Sequence, residues 1–306
     1  MRRLLVPCVL AAVVGTVAAA AQQTTADPPR ASVLIDAVAL DKAGLPVLDL
    51  KPQDLEVWIG HFRTPVDSLE LVTSESERGG RLVVLLMDDI TPAPSQIGRA
   101  QEVGRRFVAR LLPGDQMAVV MLSNPSIEST NDPAKLRRAV KRYSVRATSF
   151  MRTDELGRHV LKTVTMIASA LTEAGEGRKV IVGIGSGWLF DRPIPAPVVG
   201  SDLLPEWIEA MRALSRSHAA VYAIDPGGLG TSRVDAGDTG FARETGGRAF
   251  INTNDLTGAA DRVLRETGSY YLIRVANPPV GGKGLRELDV KSLRRGITIR
   301  ARRAIH

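Results

Sequence analysis

The sequence predicts an α/β protein in which a doubly wound, mainly parallel sheet is inserted in a small β-sandwich formed by the N- and C-terminal strands. Three observations support this fold class. The apolar run Val83–Met87 ends in two carboxylates, as expected for a strand that is buried on both faces of a parallel sheet. Strand and helix patterns alternate from residue 80 to residue 268. Strand patterns alone occupy residues 31–74 and 269–304.

The first 30 residues precede the predicted fold. Arg2 and Arg3 stand before an apolar run that ends in small residues at Ala19–Ala21, which is the pattern of a secretory signal peptide. We therefore expect residues 1–21 to be a signal peptide and residues 22–30 to be a linker. On this interpretation the mature chain is secreted or periplasmic and has no membrane span, and an uncleaved membrane anchor is the alternative.

Composition narrows the classes of function. The chain has 40 basic and 33 acidic residues, a net charge of +7, which falls to about +5 once the predicted signal peptide is removed. Because this excess is moderate and spread along the chain, we expect no nucleic-acid partner. The one cysteine, Cys8, lies in the predicted signal peptide, so we expect the mature chain to use neither disulfides nor cysteine metal sites.

Each end of the mature chain has too few strand patterns to form a stable sheet alone. The predicted strands are 32–40, 45–50, 56–59 and 67–72 at one end and 270–275, 286–290 and 296–302 at the other. We therefore predict that the two sets pair with each other, and that the α/β unit is inserted between them.

The central unit is predicted to contain five strands and six helices. The strands are 83–87, 116–122, 179–184, 219–224 and 248–251, and the helices are 97–111, 133–143, 156–171, 204–214, 238–245 and 255–266. Ligands of such sheets bind outside the carboxyl ends of the strands. Asp88 and Asp89 follow the first of these strands, so they are the leading candidates for a functional site.

Motifs along nearly the whole mature chain occur in an informative order. They are VLIDAVALDKAGLPVLDLKPQDLEVWIGHF, VVLLMDD, RRFVARLLPGDQMAVVML, GRKVIVGIGSG, AVYAIDPGG, FARETGGRAFINTNDL, SYYLIRV and LRELDVKSLRRGITIRAR. In this order they resemble the secreted von Willebrand factor A-related proteins known from Acidobacteria. The resemblance implies a von Willebrand A fold, a mainly parallel Rossmann-like sheet with helices on both faces, which mediates adhesion or protein–protein contact.

The resemblance also implies where a divalent cation would bind. Such domains commonly hold one through D-x-S-x-S after the first strand, a Thr from a later loop and an Asp after the fourth strand. Here Asp88 takes the first position, but Ile90 and Pro92 replace the two serines, and Ser186 stands where the late Asp is expected. Because oxygen ligands are lost, we expect a degenerate site that binds no metal or cofactor.

Two alternatives stay open for this pair of carboxylates. A weakly held Mg²⁺ would use Asp88, Asp89 and Thr91, with Thr148 or Thr153 as the later threonine. Without a metal, both carboxylates would cap nearby helix N-termini or pair with basic residues.

Motifs of known enzyme classes are incomplete. A phosphatase-like D-x-D-x-T fails at Ile90, and the glycine-rich turn of a dinucleotide site fails at Trp188. A nucleophile elbow at Ser186 lacks its flanking glycines. We therefore expect no catalysis, and a hydrolase that uses Asp88 and Asp89 is the alternative from another class.

Exposed surface at the carboxyl edge is the remaining source of function. Trp188 opens the proline-rich segment WLFDRPIPAPV, where stiffened aromatics would offer contact area at little ordering cost; burial of Trp188 under the loop is the alternative. A basic face with Arg300 and Arg302 on the last strand is either solvated or a contact for an anionic glycan or protein.

These patterns predict an exported, non-enzymatic binding module for a protein, cell-surface or extracellular ligand. A metal-dependent adhesion domain is the nearest alternative. No pattern indicates an oligomeric state. The predicted contact rim consists of Asp88, Asp89, Thr91, Thr153, Ser186 and Trp188.

Overall fold

Three sheets and the helices between them form the part of the chain that the computed structural model describes. The described residues are 32–73, 76, 80–145, 153–175, 177–185, 203–230, 240–276 and 286–305. The predicted signal peptide and linker lie outside them and stay predictions.

The strands and helices are numbered in chain order. The strands are β1 (Ser32–Leu40), β2 (Leu55–Ile59), β3 (Phe62–Thr64), β4 (Val66–Thr73), β5 (Arg81–Met87), β6 (Gln116–Met121), β7 (Arg178–Ile184), β8 (Ala220–Ile224), β9 (Ala249–Phe250), β10 (Ser269–Ala276), β11 (Arg286–Ser292), β12 (Thr298–Ala301) and β13 (Ala304–Ile305). The helices are α1 (Ile97–Ala109), α2 (Pro133–Lys141), α3 (Thr153–Glu173), α4 (Leu204–Ser217), α5 (Gly240–Thr245) and α6 (Leu256–Glu266).

The central sheet has five strands in the order β6-β5-β7-β8-β9, and all four pairs are parallel. Its strands are mainly apolar beyond their first one or two residues because helices cover both faces. On one face α3, α4 and α5 contribute Val160, Leu214 and Phe241 to the core. On the other, α1, α2 and α6 contribute side chains such as Phe107 and Leu136. This is the doubly wound α/β architecture that the sequence predicts.

The strand order reverses between β5 and β7. From β5 the chain runs outward to β6, and it then returns to add β7, β8 and β9 on the other side. Such a reversal opens a crevice at the carboxyl ends of the two strands. Asp88 follows β5 at this crevice, and Gly185 follows β7 there.

The terminal strands form two antiparallel sheets, as predicted. One has the order β12-β1-β10-β4 and the other β13-β11-β2-β3. Strand β1 pairs with β10 and β2 pairs with β11, so strands from before and after the central unit lie side by side. Ile35, Val57 and Ile273 are buried in the core between the two sheets.

The predicted strand at 45–50 is wrong. The Asp41 carboxylate accepts hydrogen bonds from the backbone N–H groups of Ala43 and Leu45, both at 2.8 Å, and fixes a turn there. Beyond the turn the chain is held by single contacts, such as the hydrogen bond from Leu50 N–H to the Tyr271 hydroxyl at 3.0 Å. Its apolar residues therefore pack on the sandwich without joining a sheet.

The basic face predicted for the last strand is not a solvated one. Arg302 is buried, and its Nη1 donates to the Ser215 carbonyl oxygen at 2.8 Å. Arg300 is half-buried, and its Nη1 donates to the Gly247 carbonyl oxygen at 3.1 Å. Both side chains thus tie the terminal sandwich to the α/β unit.

No helix in the described ranges combines the length and the hydrophobicity that a membrane crossing requires.

Candidate functional site

Four strand ends are held level at the carboxyl edge of the central sheet by backbone hydrogen bonds. Asp88 N–H donates to the Ile184 carbonyl oxygen at 2.9 Å, and Leu122 N–H donates to that of Met87 at 2.9 Å. Gly185 N–H donates to the Ile224 carbonyl oxygen at 3.2 Å. The loops after β5, β6, β7 and β8 therefore begin side by side.

The Asp88 carboxylate organises the loop that follows β5. The residue is 1% exposed, and its Oδ1 accepts from the backbone N–H groups of Ile90 at 2.9 Å and Thr91 at 3.0 Å. Its Oδ2 accepts from the Thr91 hydroxyl. Burial raises the pKa of Asp88, and the hydrogen bonds from Thr91 and Ile90 oppose that rise. Gly185 packs so closely against Asp88 that an added Cβ would collide with it.

The Asp89 carboxylate binds a different loop. Its Oδ1 accepts from Ser123 N–H at 2.8 Å and its Oδ2 from the Ser123 hydroxyl at 2.5 Å, directly after β6. Asp89 is buried like its neighbour. The two adjacent carboxylates thus fix two different loops. These hydrogen bonds are not helix caps, because Asp88 accepts from residues of its own loop and no helix begins at Ser123.

Side chains that the sequence analysis missed complete this arrangement. Tyr143 donates its hydroxyl to the Asp88 carbonyl oxygen at 2.7 Å, and burial raises its pKa. His159 Nε2 lies 2.6 Å from the Leu122 carbonyl oxygen. Only Ser123 carried a sequence signal, since it directly follows a predicted strand, whereas the other two come from distant segments.

A third buried carboxylate, Asp225, lies on the same edge after β8. It is 1% exposed, and its Oδ1 accepts from Gly227 N–H at 2.7 Å. The loop beyond it is held by Asn254, whose Oδ1 lies 3.4 Å from Leu229 N and 3.2 Å from Arg99 Nη2. This carboxylate, too, shapes a loop at the rim.

The oxygens of Asp88, Asp89 and Thr91 take part in hydrogen bonds within the protein. The Thr91 hydroxyl is turned onto Asp88, and both oxygens of Asp89 accept from Ser123. A cation at these oxygens would compete with these donors for the carboxylate lone pairs. Among the described residues, no group of three or more His, Cys, Asp or Glu side chains could hold a metal ion.

The predicted contact rim is only partly within the described structure. Asp88, Asp89 and Thr91 lie together, with Thr91 bonded to Asp88. Thr153 begins α3, but its side chain is not among those described. Ser186 and Trp188 lie outside the described residues.

Two exposed leucines lie on the same edge of the sheet. Leu204, the first residue of the helix after β7, is 56% exposed, and Leu229, in the loop after β8, is 66% exposed. The backbone of Leu229 is held by Asn254, so this apolar side chain is presented from a fixed loop. Apolar side chains that are grouped in one exposed patch, rather than single ones, are typical of protein-binding surfaces.

Comparison with protein-family models finds no match, and comparison with curated proteins finds none either. Among solved structures, the chain is similar to the human COPII-coat protein Sec24c, with a TM-score of 0.36 and 7% identity over 74% of this chain and 43% of that one. It is also similar to the manganese-loaded TRAP protein of Plasmodium vivax, with a TM-score of 0.39 and 14% identity over 76% of this chain and 95% of that one. At this distance neither structure indicates a function.

Proposed function

We propose that this chain is an exported, non-enzymatic binding module whose carboxyl-edge loops contact a protein or a cell-surface ligand. The proposal rests on the hydrogen bonds that the buried carboxylates at the rim accept. Asp88 and Asp89 accept hydrogen bonds from loop N–H groups and hydroxyls, so they stabilise the conformation of the loops at the rim. To act as a nucleophile, a base or a metal ligand, such a carboxylate would have to share or give up hydrogen bonds that hold the loops.

Fixed loops favour binding because the free protein has already lost the entropy of ordering them. Leu229 stands exposed on such a loop, and Leu204 is exposed at the first residue of α4. Burying one leucine side chain is worth about 1.5–3 kcal/mol at most. A partner that covers both would therefore gain affinity with little ordering cost to this chain.

Thermal unfolding with and without divalent cations tests the metal-free part of the proposal. We expect the Tm of the purified chain to be the same in millimolar Mg²⁺, in millimolar Mn²⁺ and in chelator. A rise in Tm with Mg²⁺ that Asp88→Ala abolishes would instead establish a metal-dependent adhesion domain. Phosphoester turnover that vanishes in the same variant would establish a hydrolase.

Affinity capture from cell-envelope extract tests the binding surface. The test variant is Leu204→Ser with Leu229→Ser, and the matched control is Leu112→Ser, an exposed leucine at the opposite edge of the sheet, between α1 and β6. We expect a protein or glycan that the unmodified chain retains to be lost from the double variant and kept by the control. Equal capture by both would contradict a binding site at the rim.

A further inference from the structure

A second concave surface lies away from the carboxyl edge, where the turn after β1 meets β12 and α6. It encloses about 390 Å³. Five cationic side chains line it, and they come from four separate parts of the chain: Lys42, Arg248, Arg262, Arg265 and Arg300. Two carboxylates, Asp41 and Glu266, are the acidic lining residues. This cationic pocket therefore has an excess of three positive charges.

The two carboxylates do not neutralise the cationic pocket by direct pairing. Asp41 Oδ1 accepts from two N–H groups of its own turn, both at 2.8 Å. Glu266 is 2% exposed and lies behind the wall of the pocket, where burial raises its pKa and the nearby charge of Arg300 opposes that rise. Within the described ranges, neither carboxylate has an Arg or Lys nitrogen within 4.0 Å of its oxygens.

Two of the four guanidinium groups of this pocket have contacts that hold them in place. Arg300 Nη1 donates to the Gly247 carbonyl oxygen at 3.1 Å, and the Arg248 guanidinium lies 5.1 Å from the centre of the Phe250 ring. Arg262 and Arg265 are three residues apart on α6 and so lie on one side of that helix. Both are exposed at the mouth of the pocket. Like charges brought together in this way repel one another unless an anion lies between them.

We infer that the cationic pocket binds a small, multiply charged oxyanion of the phosphate or sulfate class. Arginine presents N–H donors in a planar fork that matches the oxygens of phosphate and sulfate, and such charge-assisted hydrogen bonds are about twice as strong as neutral ones. An excess of three positive charges favours a ligand with several negative charges over one with a single charge. The small volume selects a compact anion.

Isothermal titration calorimetry at low ionic strength tests this site, with inorganic pyrophosphate as the probe. The test variant is Arg262→Gln with Arg265→Gln, which removes two exposed cations of the pocket without opening the core. The matched control is Arg137→Gln with Arg138→Gln, which removes two exposed cations from α2, remote from the pocket lining. We expect the Kd for pyrophosphate to rise at least tenfold in the test variant and less than twofold in the control.

Parallel titrations with phosphate, sulfate and citrate identify the chemistry of the ligand. We expect pyrophosphate to bind more tightly than phosphate or sulfate, because it carries more charge in a compact form, and citrate to bind more weakly than pyrophosphate. The absence of pyrophosphate binding at millimolar concentration would overturn the inference. So would an equal loss of affinity in the control variant, which would show that only the net charge of the chain attracts the anion. Neither result depends on binding at the carboxyl-edge rim.

Discussion

The two edges of the central sheet handle buried charge in different ways. At the amino edge, buried arginines pair with carboxylates: Arg81 with the buried Asp115, and Arg178 with the partly buried Asp36. At the carboxyl edge, Asp88, Asp89 and Asp225 accept hydrogen bonds from backbone N–H groups, and the first two also accept from side-chain hydroxyls.

The pairs at the amino edge join elements that are distant in the chain. Arg81 begins β5, and its Nη2 lies 2.5 Å from Asp115 Oδ2. Its Nη1 donates to the carbonyl oxygen of Leu264, which lies in α6. Arg178 begins β7, contacts Asp36 of β1 at 3.2 Å and lies 5.1 Å from the centre of the Tyr270 ring. The first pair therefore joins elements within the α/β unit, and the second fixes that unit to the terminal sandwich.

The carboxylates at the carboxyl edge act over short distances. Asp88 and Asp225 hold the loops that directly follow them, and Asp89 holds the start of the neighbouring loop. The comparison indicates that charge at one edge stabilises the fold, whereas charge at the other edge sets the shape of a surface. Substitutions at the amino edge should therefore unfold the protein, and those at the carboxyl edge should loosen loops.

The largest effect is expected from Asp115→Asn at the amino edge. Arg81 and Asp115 are 4% and 2% exposed, so the substitution leaves a buried guanidinium without its counter-charge. Breaking a buried ion pair in this way costs about 3–5 kcal/mol. Urea denaturation of the variant and the unmodified chain measures the difference in the free energy of unfolding.

A matched control for this prediction is Asp261→Asn. Asp261 pairs with Arg106 through the same two-bond geometry, at 2.7 and 2.5 Å, but both side chains are about one-third exposed. Water can solvate the arginine that remains, so the loss should be much smaller. Equal losses of unfolding free energy in the two variants would show that burial does not make the Arg81–Asp115 pair more stabilising than the partly exposed Arg106–Asp261 pair.

A smaller effect is expected from Asp88→Ala at the carboxyl edge. The substitution leaves the N–H groups of Ile90 and Thr91 and the Thr91 hydroxyl without their acceptor, which costs about 1–3 kcal/mol. Part of that loss is offset because a buried charge is also removed. Hydrogen exchange should show faster opening of the loop after β5 with little change in the core strands.

Thr91→Val is the companion variant, because it removes the hydroxyl donor and keeps the carboxylate. Its loss of unfolding free energy should be about 1 kcal/mol and smaller than that of Asp88→Ala. Asp88→Ala could instead destabilise the protein as much as Asp115→Asn. The proposal that charge at the amino edge stabilises the fold, whereas charge at the carboxyl edge sets the shape of loops, would then be wrong.

Periodicity in the sequence was sufficient to predict the central sheet and its helices, because β5, β6, β7 and β8 are mainly apolar runs of five to seven residues bounded by turns. The pairing of the terminal strands followed from their small number on each side. Strands β3 and β13 were not predicted, since they have three and two residues and no repeating pattern. The segment 45–50 has apolar residues at strand-like spacing, but its pairing with β1 beyond the Asp41 turn is a single bridge, between Pro46 and Leu40.

The site was predictable only where topology determines position. Asp88 and Asp89 follow an inner strand, so their place at the carboxyl edge could be inferred. Of their partners, Ser123 carries a signal because it follows a predicted strand. Tyr143 carries none, because it approaches from a segment 55 residues away and its contact depends on how helices pack. The burial of Arg302 was missed for a related reason: alternation along a strand shows that two faces differ, but it does not show what covers the polar one.

The smallest effect is expected at His218, beside the Arg178–Asp36 pair of the amino edge. Its Nδ1 lies 3.9 Å from Asp36 Oδ1, and its backbone has a left-handed φ of 57°. Burial, with a further contribution from the charge of Arg302, lowers the pKa of His218 from 6.5 to about 4. The unfolded chain therefore takes up a proton more readily than the folded one between these values, and stability should fall as the pH falls from 6.5 to 4.

His218→Asn removes this proton-binding group and keeps a residue that tolerates the left-handed conformation. Because the His218 side chain is 43% exposed, solvent screening should limit its share of the acid-induced loss to less than about 1 kcal/mol. Urea denaturation at pH 7 and at pH 4.5 should show a smaller loss in the variant than in the unmodified chain. Identical losses of unfolding free energy would mean that water screens His218 as fully as an ordinary surface site. The stabilising charge interactions at this place would then be limited to Arg178 and Asp36.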